Sequence, residues 1–262
     1  MPTLALSITL ALLGFVGGTA AGLLGFGGGI LMFPLLYYVP PIFGLDRIEA
    51  KVAAAIVITQ VFFSTLIGGL AHLRSGRVHT RITWVAGITS AAGAFVGAIA
   101  SKWASERFLL VLFGVVATSV LGMLLLPEPP GDRDQVNPKE IRAPMAPLAI
   151  CSFVVGIVIG LLGAGNFVFV PLMIYLLKIP TRIAIGSSLF IAMINSALGM
   201  AGKFFSGQIP AVETLVVTVA AMIGALFGEK IHRFAPVNIL RSAYAVLVAV
   251  VALRIWISIL WY

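Results

Sequence analysis

The sequence predicts an all-α integral membrane protein made of two inverted-topology repeats of about five apolar helical segments each. Three observations predict it: a composition too apolar for a water-facing surface, apolar runs long enough to cross a bilayer, and an internal duplication. Of 262 residues, 60% are hydrophobic and only 10% charged, whereas a soluble domain carries roughly 25% charged residues. Lipid is the solvent that suits such a chain, and several runs reach the ~20 residues that a hydrocarbon core of roughly 30 Å requires.

The elements follow in order. Apolar segments lie near 4–24, 28–40, 51–71, 82–101 and 106–126, then near 147–163, 166–178, 183–203, 211–231 and 236–260. No Lys or Arg precedes Arg47, so the first segment lacks the basic start of a cleaved signal and is expected to be retained. Residues 127–146 are the one polar stretch, and their five prolines argue against helix. The chain is expected to divide into a first transmembrane repeat (1–126), this Pro-rich linker (127–146) and a second repeat (147–262).

The halves align by eye. FVGGTAAGLLGFG (15–27) matches FVVGIVIGLLGAG (153–165) at an offset of 138, and Pro34 matches Pro171 at 137. From Lys51 onward the offset stays at 131, pairing Lys51 with Arg182, Gly68 with Gly199, Gly93 with Gly224 and Gly97 with Gly228. Chance does not register that many glycines without a gap.

Charge sets the expected orientation. With the 72–81 loop in the cytoplasm, an odd number of crossings per half puts eleven Lys and Arg inside and six outside: Arg47, Lys51, Lys102, Arg107, Lys203 and Arg254. That excess has the sign of the positive-inside rule and makes the halves inverted. Four crossings per half would make them parallel instead. Segments 28–40 and 166–178 are short. At ~1.5 Å per residue the first covers about 20 Å as helix, so both are expected to be broken or re-entrant half-helices with their N-termini inside the protein.

Net charge is +8, but the basic residues sit in short clusters between apolar runs, without the stripe and interleaved aromatics of a nucleic-acid surface. Cys151 is the only cysteine, which excludes an intrachain disulfide or a cysteine metal site. His72, His79 and His232 lack ligand spacing, so neither a metal nor another cofactor is expected.

Chemistry is expected at the Gly-rich turns GLLGFGGG (22–29) and GLLGAGNF (160–167). Helix N-termini carry about half a positive charge and unpaired N–H groups, which suit an anion. Non-helical backbone at membrane depth persists where it lines a cavity or is buried in protein, and paired breaks near the midplane are the arrangement of secondary transporters. Candidate substrate-binding residues are Gly25, Gly27, Gly28 and Gly29 in the first turn, with Gly163, Gly165 and Asn166 in the second. Gln60, Ser64, Ser187, Ser188 and Asn195 add polar groups in the segments that follow, Ser64 aligning with Asn195. Those side chains serve equally well as interhelical hydrogen-bonding groups. Lys51 and Arg182 are read either as snorkelling cations or as anion entrances on the two faces. Gly93, Gly97, Gly224 and Gly228 have the G-x-x-x-G spacing of helix packing. Carboxylates are scarce: only Glu106, Glu213 and Glu229 fall within predicted spans, all close to the ends. A proton or cation pathway normally needs an intramembrane acid.

At these residues the chain resembles the TauE/SafE sulfite exporter family of bacterial anion permeases. The resemblance rests on the duplicated halves, on GFGGGILMFP (25–34), and on the Gly-rich segments GAFVGA and GALFGE. It implies export or uptake of a small sulfur-containing anion, such as sulfite or an organosulfonate, by a multi-pass protein of the bacterial inner membrane. Two departures bear on substrate: Asn166 and Phe167 stand where the family usually has glycines, and the third segment opens AAAIV in one half but AIGSS in the other.

The partners expected are therefore a small anion and the lipid bilayer, with no nucleic acid and with homo-oligomerisation left open. No enzyme activity is expected. The alternatives are a non-transporting membrane scaffold or assembly protein, which has no use for two Gly-rich breaks, and an intramembrane hydrolase with Ser187 or Ser188 as nucleophile. For the latter, His72 and His79 are expected in a polar loop and His232 at a span end.

Overall fold

The computed structural model describes residues 3–24, 29–74, 79–125, 144–176, 181–232 and 237–260, which are helical apart from short turns. The first half holds α1 (Leu4–Leu24), α2 (Gly29–Ile42), α3 (Ala50–Arg74), α4 (Thr80–Ala100) and α5 (Glu106–Leu125). The second holds α6 (Met145–Leu162), then an irregular helical segment, here α7, that begins as a 3-10 turn at Asn166–Val168. It continues through Phe169–Pro171 and ends as a π-helical turn at Leu172–Leu176. Helices α8 (Thr181–Phe205), α9 (Ala211–His232) and α10 (Val237–Leu260) complete the order. Among the described residues six helices (α1, α4, α5, α6, α8 and α9) contain a stretch long and apolar enough to cross a membrane.

These helices are apolar outside as well as inside. Leu12, Ile88, Ile150, Leu215 and Leu253 are exposed, which water would penalise and hydrocarbon does not. The predicted segments match the observed helices to within a few residues. One difference is instructive: α6 starts at Met145 and takes Pro147 into its first turn, where a missing N–H costs nothing because the helix has no partner for it. The linker 127–146 otherwise lies outside the described residues, apart from Pro144, Met145 and Ala146.

Packing interleaves the halves. Helix α1 runs along α9 and α4 along α6, while α3 lies against α8 and α5 against α10. The first two contacts are made by glycines. A Cβ on Gly93 would overlap the Phe153 carbonyl oxygen, and one on Gly224 the Phe15 carbonyl oxygen; Gly156 meets the Ser90 carbonyl and Gly18 the Ala221 carbonyl in the same way. At the offsets of 138 and 131 these are matched pairs of contacts. Gly97, against the Ile157 carbonyl, and Gly160, against that of Ala94, extend the α4–α6 seam. Backbones this close gain dispersion and Cα–H···O contacts, so Gly93, Gly97 and Gly224 serve packing.

Candidate functional site: the second helix break and its amide cluster

The break predicted in the second half is present. Helix α6 stops at Leu162 because Gly163 is left-handed (φ 67°) and its N–H closes on the Ile159 carbonyl. Gly165 follows at φ 152°, and Asn166 then opens α7. Residues with a Cβ rarely adopt such angles. At Gly163 there is also no room for one, since it would overlap the Ala54 carbonyl of α3. Residues 163–167 are all buried, so this irregular backbone is enclosed by protein.

Residues 25–28 of the first predicted turn, Gly25, Gly27 and Gly28 among them, lie outside the described residues. Its two ends are defined: α1 reaches Leu24 and α2 begins at Gly29. Gly29 is buried against the other turn, a Cβ there lying 3.1 Å from Ala164 Cβ and 3.4 Å from Val57 Cγ1. The start of α2 and the second glycine turn therefore touch, with α3 beside both.

Three polar side chains converge at the turn. Asn195 Nδ2, on α8, donates to Asn166 Oδ1 at 2.8 Å and makes a longer contact with Ser90 Oγ of α4 at 3.4 Å. All three residues are buried. Asn166 Nδ2 and Asn195 Oδ1 have no protein partner. An unpaired buried amide group costs about 1–3 kcal/mol, a cost that a hydrogen-bonding partner at this turn would remove. Beneath the turn, Phe167 packs on Phe113 (centroids 6.2 Å) and Phe113 stacks on Phe33 (4.9 Å). This wall joins α2, α5 and α7.

The remaining candidates occupy different places. Gln60 and Ser64 bond each other one turn apart on α3, at 3.0 Å, leaving Gln60 Oε1 buried without a partner. Val57, one turn before Gln60, touches Gly29, so this pair continues the same face of α3 away from the turns. Ser187 accepts the backbone N–H of His79 at 3.1 Å, tying α8 to the start of α4. Ser188 is buried beside it. Lys51 is half-buried and donates to the Lys102 carbonyl at 2.9 Å; the side chain of Arg182 is outside the described set. His79 differs from expectation: it is buried at the N-cap of α4, its Nδ1 accepting the Ile82 N–H. Ser187 thus meets the main chain of His79, while the ring nitrogen facing the helix is occupied as a cap.

Sequence reasoning missed Ser90 and Lys203. Ser90 is one small residue among many in α4 and has no motif to mark it. Lys203, which the charge count places on the outer side, is fully buried, at 0% exposure. Its polar partners are Ser101 and Gln208.

The profile of the Sulfite exporter TauE/SafE family matches residues 10–255, nearly the whole chain. The chain belongs to the TauE/SafE sulfite exporter family. Similar curated proteins include the probable membrane transporter protein YunE of Bacillus subtilis (strain 168), 27% identical over 86% of this chain and 88% of that protein. A probable membrane transporter protein of Xylella fastidiosa (strain Temecula1 / ATCC 700964) is 32% identical over 66% of this chain and 64% of its own. The probable membrane transporter protein YdhB of Bacillus subtilis (strain 168) is 25% identical over 88% and 89%. No solved structure matches. As a TauE/SafE protein with six helices of spanning length, the chain is a membrane transporter.

Proposed function

We propose that this transporter is a permease for a small sulfur-containing anion, such as sulfite or an organosulfonate, bound between the two halves near the bilayer midplane. The observation that carries the reading is the unpaired Asn166 amide at the mouth of a buried helix break. A free N–H₂ group beside the electropositive end of a helical segment is a donor set for an oxyanion. The Asn195 amide fixes the orientation of Asn166, and Gly29 brings the start of α2 against the same turn.

Asn166 stands where the family resemblance leads one to expect glycine. The second half then supplies a side-chain donor where the matching position of the first half is glycine, making the site asymmetric. Gln60, Ser64, Ser187 and Ser188 line the approach along α3 and α8, and Lys51 and Arg182 mark its two ends. The repeats are inverted, a reading supported by the charge count, while the matched glycine contacts of α1 with α9 and of α4 with α6 support the duplication itself. The protein resides in the bacterial inner membrane. There an inside-negative potential favours anion exit by ~2.3 kcal/mol per charge per 100 mV, so export needs no coupled proton.

A thermal-shift screen of the purified protein against sulfite, thiosulfate, sulfate, sulfoacetate and chloride tests the substrate class. A ligand bound only by the native state raises its stability by mass action, about 2.7 kcal/mol at a hundred times Kd. One or more sulfur oxyanions should raise Tm. A response to cations or neutral solutes alone would overturn the reading.

A further inference from the structure

Lys203 sits near the C-terminal end of α8, completely buried, in a chain whose lipid-facing surface is apolar. Its Nζ donates to Ser101 Oγ at 2.6 Å and to Gln208 Oε1 at 3.2 Å. Both acceptors are neutral. Gln208 is itself held in place, its Nε2 donating to the Ala98 carbonyl at 3.1 Å and to Ser206 Oγ at 2.6 Å. An ammonium has three donors, and these two bonds leave one. Among the described residues the ion pair within 4.0 Å is Arg47 with Glu106, so no carboxylate there neutralises Lys203.

A second cation approaches the same peptide. Lys51 donates to the carbonyl of Lys102, the residue after the Ser101 that accepts from Lys203, so the two ammonium groups bond to neighbouring residues of one turn. A buried, uncompensated charge costs several kcal/mol, and a like charge beside it adds to that. A fold that needed only to tie α8 to the end of α4 would be better served by a neutral amide. An anion seated between the two lysines would remove both penalties.

The duplication gives each position of the cluster a counterpart in the other half. At the offset of 131, Lys51 corresponds to Arg182, Ser101 to His232, Lys102 to Arg233, Lys203 to His72 and Gln208 to Arg77. Every position of the cluster has a basic residue as its counterpart. These counterparts fall where the charge count places the cytoplasm, so the positive-inside rule accounts for them, and the cluster itself rests on the contacts of Lys203 and Lys51.

The geometry points to a second anion site, in which Lys203, Ser101, Gln208 and Lys51 hold the small anion at one mouth of the pathway, before or after it reaches Asn166. This rests on the anion-permease reading above. The site works as a way-station: Lys203 supplies the charge, Ser101 and Gln208 orient its ammonium, and Lys51 reaches in from the start of α3.

The test compares wild type with Lys203→Met, Lys203→Gln and Lys203→Arg, using thermal stability without added anion and saturation of flux with sulfite, thiosulfate and sulfoacetate in turn. Lys203→Met should be as stable as wild type or more so, with KM raised about tenfold or more, the equivalent of ~1.4 kcal/mol. Lys203→Arg should stay within a few-fold of wild type. If Lys203→Met does not fold, Lys203→Gln, which keeps a donor without the charge, carries the same expected rise in KM. Wild-type saturation in the neutral variants overturns this site alone. A wild type that neither binds nor moves any of the three anions overturns the substrate class, and this site with it.

Discussion

Replacing Asn195 and Asn166 by leucine, singly and together, separates a binding role from a structural one. Asn195→Leu removes the 2.8 Å bond to Asn166 Oδ1 and leaves the whole Asn166 amide buried without a protein donor or acceptor. The bond alone averages about 0.6 kcal/mol between membrane helices, whereas an orphaned amide costs about 1–3 kcal/mol. The larger effect decides: each single variant should lose about 1–3 kcal/mol of stability. The double variant removes both amides and should return to within about 1 kcal/mol of wild type. Anion affinity should behave differently. Loss of the Asn166 donor removes a hydrogen bond to a charged ligand, worth about 1.5–3 kcal/mol, or roughly 10- to 150-fold in Kd. That loss should persist in the double variant. Thermal denaturation in detergent, with and without sulfite, reads both quantities on the same samples. A double variant that recovers stability and also binds sulfite as wild type does would refute the site, and the amides would then be a structural pair.

Other predictions follow from the same contacts. Gly156→Ala and Gly18→Ala should each cost about 1–3 kcal/mol, because each added Cβ overlaps a backbone carbonyl of the neighbouring helix; Gly122→Ala, with nothing within 4 Å, should leave Tm unchanged or slightly raised. Gly163→Ala should be worse than either, since left-handed strain of about 1–2 kcal/mol adds to its overlap with the Ala54 carbonyl, and poor membrane yield would be the readout. Ser187→Ala should lower Tm by leaving the buried His79 N–H without its acceptor, a penalty of about 1–3 kcal/mol, while sulfite affinity changes less than about threefold, under ~0.7 kcal/mol.

Much of this architecture is legible in the sequence because the bilayer restricts the menu to helices, so long apolar runs translate almost directly into elements. The break at Gly163–Gly165 is legible for a related reason: positive-φ angles at membrane depth need glycine, and clustered glycines announce them. Spacing also distinguishes Gly93, Gly97 and Gly224 as packing residues before any contact is known. What sequence reading misses is depth and partnership. Lys203 was counted as one of six cations on the outer side, and a charge count assigns a side without saying how far a side chain reaches inward. Ser90 carries no signal in the sequence, because a serine among alanines and glycines acquires meaning only when Asn195 is seen across from it. Ser187 has the opposite history: a polar residue in an apolar segment suggests a binding surface, yet its hydroxyl accepts the His79 N–H that opens α4.

Flux of sulfite from proteoliposomes that contain only the purified protein tests the central claim most directly. With an imposed inside-negative potential, loaded sulfite should leave faster than from protein-free liposomes, and efflux should fall by at least about tenfold, the equivalent of ~1.4 kcal/mol, in the Asn166→Leu/Asn195→Leu variant at subsaturating substrate. Efflux of sulfite, thiosulfate and sulfoacetate no faster than the protein-free rate, from vesicles in which the protein is folded, would contradict the account.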